Sequence, residues 1–144
     1  MICRQGLAST LPHEVKQRMR LKQKKMRRHD FPHPRVTRMR VPDSAIRKMV
    51  HCIVRRFQPE QIILFGSYAR GDANADSDVD FLVVMPVHDS KAHQEVMIGV
   101  ALHDFRVAKD IVVSTPEEFA WRKEIVGTIE YPAVREGKVM YVQQ

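Results

Sequence analysis

Two hydrophobic periods organise the chain from residue 43 onward. Ile46, Met49, Val50, Ile53, Val54 and Phe57 recur at steps of three and four, the stripe a helix lays against a core. Arg47, Lys48, Arg55 and Arg56 fill its other side, Asp43 or Ser44 stands where a cap belongs, and Pro59 marks the exit. The run Ile62-Ile63-Leu64-Phe65 predicts a first strand over 61–65, and residues 67–70 open a short helix. Gly71–Ser77 reads as a polar loop, and residues 79–85 as a second strand ended by Pro86. Val96, Ile98, Val100, Ala101, Leu102 and Phe105 predict a helix over 90–107. Ile111-Val112-Val113 is β-branched and predicts a third strand over 110–114. Thr115-Pro116-Glu117-Glu118 combines a cap, a first-turn proline and acids at the positive helix end. That helix is expected through Phe119, Trp121 and Ile125, resuming over Tyr131–Val134 until Gly137 stops it. Residues 139–142 add a last short strand. The order predicts an α/β (α+β) fold, a small mixed sheet with helices packed on it.

Composition changes this picture in one respect. The chain has 144 residues, 44% of them hydrophobic, enough for one ordinary domain. Its net charge of +7 is unevenly spread. Residues 1–40 carry 12 Lys and Arg against 2 Asp and Glu, whereas residues 41–144 carry 12 against 15. Residues 1–40 are therefore read as a basic, flexible extension, and 41–144 as the folded domain. Three readings stay open for the extension: an arm that touches nucleic acid or an acidic partner, a segment without a role, or an upstream stretch preceding a true start at Met39. No apolar run reaches the roughly 18–20 residues of a membrane span. Neither Cys3 nor Cys52 demands a disulfide, so a cytoplasmic protein is expected.

The chemistry concentrates in residues 66–80, Gly-Ser-Tyr-Ala-Arg-Gly-Asp-Ala-Asn-Ala-Asp-Ser-Asp-Val-Asp. Gly66-Ser67 follows a strand and opens a helix. Unpaired N–H groups at such a turn attract anions, and a glycine lets a phosphate approach the backbone. This is not a Walker A loop, because no Lys-Ser/Thr follows Gly71. Asp78 and Asp80 enter a strand at alternate positions, which puts both side chains on one face. Like charges so close repel unless a cation lies between them, and carboxylates suit Mg²⁺. Two ions holding a triphosphate would want a third acid. Asp110, at the start of the third strand, is the candidate, and Asp104 the weaker competitor inside a helical pattern. The residues thus predict a magnesium site beside a phosphate-binding turn, in an enzyme acting on a nucleoside triphosphate.

Gly-Ser, ten residues, Asp-x-Asp, the Ser-Tyr-Ala-Arg-Gly segment and a later strand Asp together resemble the minimal nucleotidyltransferase (MNT) family of the DNA polymerase beta-like nucleotidyltransferase superfamily. The resemblance covers about residues 43–142 and extends to the tail, Ala133-Val134-Arg135-Glu136-Gly137-Lys138-Val139-Met140-Tyr141. It implies the polymerase beta-like palm fold, phosphate binding by Gly66 and Ser67, and metal binding and catalysis by Asp78, Asp80 and Asp110. Arg70 would assist the phosphates or brace the loop, a surface ion pair being the other reading. The resemblance further implies Mg²⁺, as two ions, with ATP as substrate. It implies transfer of AMP to a hydroxyl of a partner protein, the partner being a HEPN-type toxin and this chain its antitoxin. The alternatives are a degenerate module that neutralises its partner by contact, or a transferase for a small molecule or an RNA end.

Other residues invite less. His88, His93 and His103 do not share a helical face suited to zinc. Phe119, Trp121 and Ile125 are expected in the core rather than as a stacking platform, and Cys52 as a small core residue.

Overall fold

Nine elements follow one another in the computed structural model, which describes residues 39–144. The basic extension read over residues 1–40 lies outside the described residues except for its last two. Helix α1 (Asp43–Phe57) buries Ile46, Met49, Val50 and Ile53 and leaves Arg47, Lys48, Arg55 and Arg56 exposed, as its periodicity predicts. Pro42 takes the N-cap position without a side-chain bond, so neither Asp43 nor Ser44 caps the helix; Asp43 instead lies in the first turn. There its charge complements the unpaired N–H groups.

Strand β1 (Gln61–Phe65) leads into the five-residue helix α2 (Gly66–Arg70), and β2 (Val79–Val84) follows the polar loop. Helix α3 (Lys91–Ala101) is capped by the Ser90 hydroxyl, which accepts from His93 N at 3.1 Å. It ends six residues earlier than its pattern predicts. Phe105 and Val107 reach the core from a turn, not from a continued helix face, and Asp104 is exposed in that turn. Strand β3 (Lys109–Ser114) precedes α4 (Pro116–Arg122), whose Thr115 cap accepts from Glu118 N at 3.2 Å. Helix α4 stops at Arg122, and α5 (Glu130–Glu136) begins after an intervening turn. Trp121 is 55% and Ile125 44% exposed, contrary to the expectation that both are core; Phe119 alone is partly buried. Two residues after the packed Phe119, Trp121 falls on the opposite side of α4, and Ile125 lies beyond the helix end.

Strand β4 (Lys138–Val142) completes a four-stranded mixed sheet of order β3-β2-β1-β4. Strand β1 runs antiparallel to β2 and β4, while β2 and β3 are parallel. The fold class matches the expectation. Alternation sorts the side chains. Ile62, Leu64, Val79, Phe81, Val83 and Val113 face α1 and α3 in the main core. Phe81 alone, wholly buried, contributes about 1.5–3 kcal/mol. On the opposite face Ile63, Leu82 and Val112 meet Ala133 of α5 and Phe119 of α4 in a smaller cluster. Gly137 lets β4 leave α5: a Cβ there would collide with the Ala133 carbonyl and crowd Ile63. Among the described residues no helix is long and apolar enough to cross a membrane.

Candidate nucleotidyl-transfer site

The sheet register decides which acids meet. Asp80 is opposite Asp110 across the parallel β2/β3 pair and opposite Phe65 across the antiparallel β1/β2 pair. By alternation, Asp80 and Asp110 share the face of Leu82 and Val112, the side covered by α4 and α5 rather than by α1. Asp78 precedes β2 by one residue and is exposed, as is Asp110, whereas Asp80 is half-buried. Strand β1 delivers Phe65 to this edge, and the next residue turns the chain.

That residue is Gly66. Its φ of +67° is a left-handed conformation that other residues rarely adopt. A Cβ built on it would collide with Asp80 Oδ2. The glycine is therefore required twice, by its dihedral and by the carboxylate packed against its backbone. Ser67 follows in the first turn of α2 and is half-buried; its carbonyl accepts from Gly71 N at 2.9 Å and Asp72 N at 3.1 Å. Tyr68 is buried, its hydroxyl accepting from Val41 N at 3.0 Å. It packs on the α1 side and does not face the acids. Arg70 is exposed at the end of α2, its Nε 3.3 Å from Asp72 Oδ2 and its Nη1 3.8 Å from Glu136 Oε2.

The electrostatics bind these pieces together. Burial raises the Asp80 pKa above the ordinary aspartate value; the carboxylates of Asp110 and then Asp78 raise it further, and the Arg70 guanidinium opposes them. Asp80 thus feels both other acids, as adjacency in the register requires. The site is an edge rather than a closed cage. Among the described residues, no three His, Cys, Asp or Glu side chains are gathered into a metal-holding group. The donor set is nonetheless all oxygen, with neither thiolate nor imidazole, and it fits a hard divalent ion such as Mg²⁺.

One buried polar cluster escaped the sequence reading. Glu130, at the start of α5, is 3% exposed and accepts from the wholly buried Ser114 Oγ at 2.9 Å, with Arg122 Nε 3.0 Å away. It ties α5 to the end of β3 and to α4. An acid beside Tyr131 at a helix start reads as solvated, and nothing in its spacing distinguishes it. Glu136, the partner of Arg70, was equally unmarked.

Comparisons with known proteins show the family of this chain. The family model described as a nucleotidyltransferase domain matches residues 46–134. A proposed protein adenylyltransferase of Methanocaldococcus jannaschii is 31% identical over 101 residues, covering 69% of this chain and 97% of that one. Among solved structures, a proposed nucleotidyltransferase from Sulfolobus solfataricus superposes with a TM-score of 0.48 at 19% identity, covering 69% of this chain and 79% of that one. A tri-AMPylated Shewanella oneidensis HEPN toxin in complex with MNT antitoxin gives a TM-score of 0.40 at 15% identity, over 70% and 72% of the two chains. By its family model and its archaeal relative, this chain belongs to the nucleotidyltransferase-domain family, and its mixed sheet is the nucleotidyltransferase fold. The Gly66-Ser67 turn, Asp78 and Asp80 all fall within the matched segment, as does Asp110.

Proposed function

We propose that this nucleotidyltransferase moves AMP from ATP to a hydroxyl of a partner protein, using the edge formed by Gly66, Ser67, Asp78, Asp80 and Asp110. The observation that carries the reading is the packing of the Gly66 backbone against the Asp80 carboxylate, with Asp110 in register beside it. Phosphate turn and acids thereby occupy one place. The name of the archaeal relative supports a protein acceptor. The composite motif supports a HEPN-type toxin as that acceptor, and an antitoxin role for this chain.

In this reading Gly66 admits a phosphate to the backbone, and Ser67 donates its hydroxyl to a phosphate oxygen. Arg70, already lowering the charge felt at Asp80, steadies the loop through Asp72 and Glu136. Asp78, Asp80 and Asp110 would hold Mg²⁺, which when bound offsets triphosphate charge and favours ionisation of the acceptor hydroxyl. The acceptor oxygen bonds to the α-phosphorus, the bond from that phosphorus to pyrophosphate breaks, and the acceptor proton leaves to the acidic edge or to water.

The test is transfer of label from α-³²P-ATP, with Mg²⁺, to the product of the neighbouring gene. Transfer by the wild type and its loss in Asp78→Ala and Asp80→Ala is the expected result. Equal labelling by both variants overturns the residue assignment. The alternative reading is a module that inhibits by contact alone. It requires that the double variant still neutralise the partner in full.

A further inference from the structure

The exposed side of α1 is cationic along its whole length. Arg47, Lys48, His51, Arg55 and Arg56 are all exposed, and Asp43 in the first turn is the helix's one acid. Residues 47, 51 and 55 stack on one face, with successive side chains about 6 Å apart along the axis. Among the described residues none of the four Lys and Arg side chains of α1 is in an ion pair; the pairs there involve Arg70, Lys91 and Arg122. These four basic residues stand in a domain whose residues 41–144 otherwise carry more acids than bases. A third of the 12 Lys and Arg of residues 41–144 thus stand on this one helix.

The stripe continues beyond the helix. At its N-terminal end Arg40, Arg47 and Lys138 line a cavity of about 200 Å³ beside Tyr68, with Asp43 the only acid in its wall. Arg40 also lies over the Tyr68 ring, 5.9 Å from its centroid. Lys138 pairs with Leu64, one residue before the Phe65 that meets Asp80. The cavity therefore opens at the sheet end that carries the transfer site, but on the opposite sheet face. From there the cations lead away along α1.

We propose that this track, the Arg40–Arg47–Lys138 cavity and the Arg47–Arg56 face, binds the phosphate backbone of a nucleic acid. Two features select that occupant over an acidic protein. The exposed side of α1 itself offers no large apolar side chain; the exposed apolar residues Val96, Met97 and Val100 belong to α3, and Trp121, Ile125 and Val126 to α4 and the turn after it. Protein interfaces need an apolar centre; phosphate backbones need cations at regular intervals. Arginine also predominates, and its planar fork matches phosphate oxygens. The 11 Lys and Arg of residues 1–39 add charge of the same sign ahead of Arg40 in the chain. The inference does not depend on the transfer chemistry.

The test is binding of the full chain to labelled oligonucleotides of about 20 nucleotides, as single-stranded RNA, single-stranded DNA and duplex DNA, across a salt series. Residues 1–40 contribute equally to wild type and variants, so the difference between them reads α1. In Arg47→Ala/Arg55→Ala the slope of log affinity against log salt should fall by about 1.5–2. Arg47→Lys/Arg55→Lys should keep the wild-type slope. The urea-unfolding midpoint should be the same in all three proteins, which shows that the variants fold. The substrate with the tightest α1-dependent binding names the nucleic-acid type. An unchanged slope in the alanine variant overturns the proposal. So does displacement of the oligonucleotide by poly-glutamate at equal charge, which would assign the track to an acidic protein.

Discussion

At Gly66 two independent demands fall on one position. Gly66→Ala must place a side chain at φ +67° and drive its Cβ into the Asp80 carboxylate. The expected cost is about 1–3 kcal/mol by urea unfolding, with transfer falling about a hundredfold or more as turn and acid move apart. Asp80 behaves in the opposite sense. Half-buried and beside Asp110 and Asp78, it is a charge held where charge is disfavoured. Asp80→Asn should therefore raise thermal stability measured without divalent metal, by about 1 kcal/mol or some 4–8 °C, while abolishing transfer. A lower melting temperature would contradict the burial argument. The candidate residues Gly66, Ser67, Asp78, Asp80 and Asp110 were legible as candidates because strand-edge glycine and strand-edge acid stand next to apolar runs, and the structure brings Gly66, Asp80 and Asp110 to one edge. Glu130 and Glu136 were not legible, because their partners Ser114 and Arg70 are distant in the chain and meet them only after folding.

Helix and strand identities were legible, but their ends were less so. Strand β1 matches its apolar run residue for residue, since both ends are set by turns at Pro59 and Gly66. Helix α3 stops short because Phe105 and Val107 are apolar for the core and not for a helix face. Helix α4 is fastened to α3 by Lys91 Nζ, 2.7 Å from Glu118 Oε2. The hydrogen bond from Lys91 lowers the Glu118 pKa below its ordinary 4.5. A depressed carboxyl contributes stability that is complete above the unfolded value and disappears as pH falls through the folded one. Lys91→Met should therefore cost at most about 1 kcal/mol at neutral pH, the pair being only partly buried and screened by solvent. The gap to wild type should close only as the pH drops below about 4.5 in acid-unfolding curves. A gap that widens on acidification would reverse the sign. The Ser114–Glu130 bond is buried and worth more: Ser114→Ala should cost about 1–3 kcal/mol by the same measurement, because it strips a partner from a buried carboxylate.

For the whole molecule, the division into two faces follows from alternation and the mixed direction of the sheet agrees with expectation, whereas the strand order β3-β2-β1-β4 is set by tertiary pairing. What the sequence did not reveal is that the acids stand along an open edge and not in a closed cluster. Strand register fixes backbones, whereas the reach of three carboxylates depends on side-chain rotation that no spacing encodes. An edge of this kind should be stabilised by its ligand. Mg²⁺ with a non-hydrolysable ATP analogue should stabilise the wild type by about 2.7 kcal/mol at a hundredfold excess over Kd, read as a higher melting temperature. It should leave Asp78→Asn/Asp80→Asn unmoved, and chelation should reverse the effect. An equal rise in both proteins would place the nucleotide elsewhere.

The glycine at the bend also sets the ease with which such a catalyst can be lost over generations. Every missense change in a glycine codon installs a residue with a Cβ, so at position 66 each one strikes the same carboxylate. A lineage can in one step silence the chemistry and still inherit α1, α4 and α5, with whatever surfaces they present to a partner. Relatives that have lost the proposed transfer should carry that scar first at the bend, with the aspartates still in place.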